Sequence, residues 1–292
     1  MSSAGDWETV DDTDAYLKRV RQEVSLLRMI SRPVVLTWWL LGVNVVFWLA
    51  ARYHGIGLAD DGLAGPYFNA EQISFFTGMK VNEAMADGQW WRLFSSQFVH
   101  LDILHLIFNG YGILVLGRFL ERCYGIRRIL VLYLASGAVG AYASFLTNPT
   151  PAGGASGAVY GLVGAAVIFG FKYRDALPSQ VSKALTIGLV PWIILSLGIG
   201  FVDAIPMDNA AHIGGLITGA AIAWVMASRL RQQQGGWTEK VVWVFTAVAI
   251  AALLWMGWGW SAEVMDCLPD VDSYALCYPE LYGEIQRAAD GL

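Results

Sequence analysis

The chain has 292 residues, a formal net charge of −5, 56% hydrophobic residues and only 15% charged ones. Average soluble domains are about a quarter charged, so this composition excludes disorder and argues against a water-soluble globule, while the acidic balance argues against a nucleic-acid partner. Three cysteines without CxxC spacing are too few for a disulfide scaffold. By contrast, 13 Trp and 32 Gly suit a polytopic membrane protein, in which aromatics anchor spans at the interface and small residues let helices approach.

Residues 1–33 form a charged N-terminal segment. Within it, residues 14–28 place Leu17, Val20, Val24 and Leu27 on one helical face, which reads as a short amphipathic helix exposed without a partner. Seven apolar stretches follow, near the roughly 20 residues a helix needs to cross hydrocarbon. They are Val34–Ala51, Ile103–Leu116, Ile129–Leu146, Ala155–Phe171, Ala184–Phe201, Ala210–Ala227 and Val241–Trp260. The second is short before Arg118 and is expected to extend outward past Leu101. The first is long enough to stay as a span, so no cleavable signal is read. Between the first two lies a long loop, 52–100, whose Gln89-Trp90-Trp91-Arg92 suits the headgroup layer. An acidic tail, 261–292, ends the chain with seven Asp or Glu against Arg287.

Positive charge sets the orientation. With the N-terminus inside, 15 of the 19 Lys and Arg fall on inner segments and only Arg52, Lys80, Arg92 and Arg287 on outer ones. The N-terminus is therefore expected in the cytoplasm and the C-terminus outside. Cys267 and Cys277 then share the outer tail, where an oxidising compartment permits a disulfide, and Cys123 faces the cytoplasm.

Polar residues inside spans are expensive and mark function. Segment two carries His100, His105 and Asn109, segment four opens with Gly153-Gly154-Ala155-Ser156-Gly157 and Tyr160, and segment six opens with Asn209-Ala-Ala-His212. Counted from the first inner charge at 1.5 Å per residue, Ser156 lies about 24 Å from Lys172, His212 about 26 Å from Arg229 and His105 about 20 Å from Arg118. All three sit in the outer part of the membrane, with Asn109 one turn deeper. Gly157-xxx-Gly161 and Gly215-xxx-Gly219 would let segments four and six touch, setting a nucleophile beside a general base. Free N–H groups at a helix start can stabilise an oxyanion, and His105 and Asn109, four residues apart, can donate to the same point. Tyr160, one turn below Ser156, can pack on His212. Each residue alone has a plainer reading, because Ser and Gly pack membrane helices and a lone His often satisfies an interhelical hydrogen bond. The five-residue gap between His100 and His105 puts them on different helix faces, so no metal site is expected.

From about Trp90 to Arg229 these residues resemble the rhomboid family of intramembrane serine proteases. The resemblance rests on Trp91-Arg92, the His100/His105/Asn109 segment, Gly117-xxx-Glu121-xxx-Gly125, Gly154-Ala-Ser156-Gly157 and Ala211-His212-Ile-Gly-Gly215. It implies an all-α polytopic membrane protein with a six-helix core over 34–228 and an appended seventh helix within 229–260. It also implies a Ser156–His212 dyad, an oxyanion hole of His105, Asn109 and the Ser156 N–H, support from Tyr160, Gly154 and Gly157, and no cofactor. Substrates would be transmembrane segments of other proteins, cut near the outer leaflet, with membrane lipids as the other partners. Asp208, one turn before His212, is in place to orient it, although the family pattern does not require this. The alternative is an inactive rhomboid-like protein that binds membrane helices. A bacterial inner membrane is the expected location.

Overall fold

The computed structural model describes the backbone of residues 10–60, 78–100, 102–202, 207–226, 228–230 and 237–267. Its side chains are described from 13 to 50, in the middle segments, and from 240 to 259. The regular secondary structure among the described residues is helical, joined by turns and loops, with one isolated antiparallel bridge between Lys80 and Ala152. In chain order the helices are α1 Val10–Ile30, α2 Leu36–Asp60, α3 Asn82–Ala86, α4 Arg92–Ser95, α5 Ile103–Tyr124, α6 Ile126–Thr147, α7 Ser156–Lys172, α8 Ser179–Leu185, α9 Val190–Ile199, α10 Asn209–Val225 and α11 Trp237–Cys267. By length and composition, α5, α6, the α8–α9 stretch and α11 can cross a membrane, and α2, α7 and α10 are shorter apolar helices.

The centre is α7. Every residue from Gly157 to Ala166 is buried, so it has neighbours on all sides rather than one apolar stripe. Its partner α10 approaches through glycine. A Cβ on Gly219 would run into the Gly161 carbonyl oxygen, and one on Gly215 into that of Gly157. On the other flank a Cβ on Gly140 of α6 would sit 2.6 Å from the Ala211 carbonyl oxygen. Backbone contact at several levels is the small-residue packing that drives association where lipid removes the hydrophobic effect between helices.

At the arginine-rich end, Glu121 of α5 is buried and caps α2. Its carboxylate accepts the N–H groups of Val35 (2.8 Å), Leu36 (2.9 Å) and Thr37 (2.8 Å) and the Thr37 hydroxyl (2.7 Å). One side chain thus satisfies the donors that open a helix and locks two helices together.

Four expectations need correction. Helix α5 begins at Ile103, because Asp102 caps it by accepting the His105 N–H (2.8 Å), and it extends the other way, past Arg118 to Tyr124. A π turn at Ile113–Gly117 lies on that path. Trp91 and Arg92 turn inward: Arg92 is fully buried, donating to Gln89 Oε1 (2.6 Å) and the Met79 carbonyl (3.0 Å). Helix α1 is not without a partner. Met29 is buried in the core, Leu26 packs against it, and the Gln22 amide donates to the Asp175 carbonyl (2.9 Å), while Leu17, Val24 and Leu27 stay exposed. The fifth stretch is two helices, α8 and α9, with Pro191 in the first turn of α9, where its missing N–H costs nothing. Helix α11 packs along α6, with Arg127 over the Trp243 ring at 3.9 Å and Gly259 against the Trp91 ring. The Cys267–Cys277 pairing lies outside the described side chains.

Candidate active site

The N-terminal ends of α5, α7 and α10 meet beside the 78–100 segment. Ser156 is the first residue of α7, so its hydroxyl and N–H stand at an open helix start. His212 lies one turn into α10, whose start is fixed by Asp208, a cap accepting the Ala211 N–H (3.0 Å) and the Ser144 hydroxyl. The glycine contact between α7 and α10 brings Ser156 Oγ to 2.9 Å from His212 Nε2. Tyr160, one turn along α7, stacks on the imidazole with ring centroids 4.3 Å apart and 12° between planes. His212 is buried, and among the described residues its Nδ1 has no hydrogen-bond partner. Asp208 therefore fixes the helix that carries His212 and does not touch its ring.

The chain entering α7 is held just as closely. Ala152 pairs with Lys80 in both directions (2.8 and 2.9 Å), and the Gly154 N–H donates to the Ser96 carbonyl (2.9 Å). Lys80 is buried, and its ammonium donates to the Asn148 (2.7 Å) and Thr150 (2.8 Å) carbonyls and to Asn82 Oδ1 (3.0 Å). Burial pushes its pKa down, against the pull of Asp208 and Glu83. Gly154 has φ +135°, and a Cβ there would lie 2.5 Å from His105 Cε1 and 3.4 Å from Asn109 Nδ2. The sequence-selected Ser156, His212, Tyr160, Gly154, Gly157, His105 and Asn109 thus converge on one place.

His100 differs from its expected position. It precedes the helix, so the argument from helix faces fails, and its ring sits edge-on to His105 at 5.1 Å. Its Nε2 accepts from Asn109 Nδ2 (3.1 Å) and, at 3.4 Å, from the Ala155 N–H, while Nδ1 faces the Phe98 carbonyl (3.3 Å). Those contacts set the tautomer, with the proton on Nδ1, and orient the Asn109 amide. Sequence reasoning also missed Gln97, which is buried with neither amide atom partnered among the described residues. It lines a cavity of about 40 Å³ directly behind Ser156, shared with Ser96, Ser144, Gly153 and Asp208. That volume and polarity suit one or two waters. No local pattern marks Gln97, whereas Asp102 three residues before His105 was a legible helix-start signal.

A Rhomboid domain matches residues 87–229. The chain is 32% identical over 149 residues to rhomboid protease GlpG of Haemophilus influenzae, covering 50% of this chain and 74% of that protein. The chain belongs to the rhomboid family. It is also 39% identical over 151 residues to rhomboid protease GluP of Bacillus subtilis, covering 52% of this chain and 29% of GluP. With RHOMBOID-like protein 6, mitochondrial, of Arabidopsis thaliana the figures are 35% over 202 residues, 65% and 60%. The chain thus spans less than two thirds of these last two relatives. Family membership and the apolar helices make it an integral, multi-pass membrane protein of all-α rhomboid fold.

Proposed function

We propose that this rhomboid is an intramembrane serine endopeptidase that cleaves transmembrane segments of other proteins with a Ser156–His212 dyad. The observation that carries the reading is the 2.9 Å separation of Ser156 Oγ and His212 Nε2 at the point where Gly154, His105 and Asn109 meet. Ser156 Oγ attacks the scissile carbonyl carbon as His212 Nε2 takes its proton. The new oxyanion is met by the Ser156 N–H and the side chains of His105 and Asn109. His212 then protonates the departing amine, leaving an acyl ester on Ser156. A water from the cavity beside Ser156, deprotonated by His212, attacks the ester, and His212 returns that proton to Ser156 Oγ as the acid product leaves. No carboxylate is needed, because the Tyr160 stack holds the imidazole and Asp208, which is only half-buried, acts through the helix start.

A substrate helix needs a way in from the lipid. The α8–α9 stretch has none of its apolar window buried, and α9 is held by the Tyr160 hydroxyl donating to Ser196 (2.7 Å) and the Asn209 amide donating to the Leu197 carbonyl (3.2 Å). These few bonds make α9 the element that yields. The distribution of Lys and Arg supports a cytoplasmic N-terminus, with the site near the outer leaflet of a bacterial inner membrane. The purified protein treated with a serine-directed phosphonate should label, and labelling should vanish in Ser156→Ala and His212→Ala. An unlabelled but folded wild type would overturn the proposal in favour of a helix-binding role.

A further inference from the structure

Two helices start at the arginine-rich end, and they are treated differently. The start of α2 is capped by Glu121. The start of α6 has no side-chain cap; Gly125 precedes it with φ +89°, and the Arg229 guanidinium lies on its Cα, so that a Cβ there would be 2.6 Å from Nη2. Arg229 is fastened by its own backbone, whose N–H donates to the Cys123 carbonyl (2.9 Å). Arg122 reaches in from α5, its Nε donating to the Arg32 backbone carbonyl (3.2 Å). Burial first, and then the neighbouring charges of Arg32 and Arg128, push the Arg229 pKa down, which places the Arg32 charge at the same turn.

Three guanidiniums therefore gather around an uncapped helix start, which itself carries partial positive charge. Among the described residues, none of Arg32, Arg122 and Arg229 is paired with a carboxylate. The acidic neighbour Glu121 is hydrogen-bonded on both oxygens to α2, and its one negative charge offsets only part of the charge of the three guanidiniums. The cluster keeps a net positive charge after Glu121, which favours a further anion, and guanidiniums plus helix N–H groups match phosphate oxygens. The surroundings select the source of that phosphate. Ile126, at the start of α6, is 46% exposed, and Trp243, against Arg127, is 60% exposed. The cluster thus borders apolar surface on which acyl chains can lie, with a tryptophan at headgroup level.

We propose that Arg32, Arg122, Arg229 and the start of α6 bind the phosphate of an anionic phospholipid headgroup. The site lies at the opposite end of the bundle from Ser156 and does not depend on the proteolytic reading.

The test uses the full chain in nanodiscs of phosphatidylcholine containing about one part in five phosphatidylglycerol, with native mass spectrometry counting the anionic lipid retained. Each of Arg32→Gln and Arg229→Gln should weaken retention about fivefold, and the double variant about twenty-five-fold, at the usual contribution of one arginine near an anionic surface. Arg19→Gln and Arg21→Gln, on exposed α1, should change nothing. Unchanged melting temperature and a monodisperse elution profile verify that the variants are folded; if the double variant does not accumulate, Arg32→Gln, at an exposed position, carries the test alone. Unchanged retention in the folded variants overturns the proposal. Displacement of the lipid by equimolar inorganic phosphate overturns the lipid assignment and makes the site one for a soluble anion.

Discussion

Gly154→Ala tests the oxyanion reading most directly. The added Cβ would stand 2.5 Å from His105 Cε1 and 2.6 Å from Nε2, where ordinary contact begins at 3.4 Å, so the imidazole would have to retreat by about 0.9 Å. Productive donors must stay within about 0.5 Å of their ideal position, so His105 would be lost as a donor. Loss of one oxyanion donor costs about 100- to 1,000-fold in rate. The backbone at φ +135° adds strain of about 1–3 kcal/mol, which lowers stability without preventing folding. The assay is the rate of phosphonate labelling, run beside cleavage of a transmembrane substrate in the same vesicles, with the melting temperature as the check on folding. Gly153→Ala is the control, because its Cβ meets the Val99 carbonyl oxygen at 3.0 Å and its φ is not positive, so it should label within a few-fold of wild type. If Gly154→Ala labels within threefold of wild type while folded, the oxyanion assignment of His105 is wrong.

The other predictions follow from single contacts. Tyr160→Phe keeps the stack on His212 and should stay near wild-type activity, whereas Tyr160→Leu loses an aromatic contact of about 0.5–1.5 kcal/mol and should slow cleavage about 2- to 12-fold; equal rates for the two would show that the stack is idle. Lys80→Met removes three donors and leaves the Asn148 and Thr150 carbonyls without the ammonium, for a loss of about 2–4 kcal/mol in thermal unfolding, with slower labelling because the chain entering Ser156 is released. An unshifted melting curve would mean water replaces the ammonium without cost. A covalent cross-link between the site ends of α9 and α5 should abolish cleavage of a membrane substrate yet spare phosphonate labelling, and unchanged turnover would sink the idea that α9 moves aside.

The helices were legible because hydropathy and helix length are one-dimensional properties. The predicted sixth span, Ala210–Ala227, falls within two residues of α10, Asn209–Val225, at both ends. Depth was legible for the same reason: counting along a helix from its inner charge needs no knowledge of neighbours, and it set Ser156 and His212 at one level. Helix ends marked by chemistry other than hydropathy were read less well. The count for α5 stopped at Arg118, yet that guanidinium lies over the Trp38 ring at 5.8 Å, and the helix runs on with its charge at the flank. An Asp three residues before His105 is a helix-start signal in the sequence, and taken as such it places His100 before the helix.

What sequence could not supply was which backbone touches which. GxxxG strings announce close approach without naming the partner, and here the pairing is between strings: Gly157 with Gly215 and Gly161 with Gly219. That register decides the chemistry, since shifting α10 by one residue along α7 moves His212 by about 1.5 Å and rotates it by about 100°. A 2.9 Å hydrogen bond and a 12° ring stack do not survive such a slip. The glycine pairs are therefore positioning elements of the candidate dyad as much as Asp208 and Tyr160 are. Their spacing explains why residues 56 positions apart in the chain share one proton path: the contact that brings the two helices together also sets the distance between the side chains at their ends.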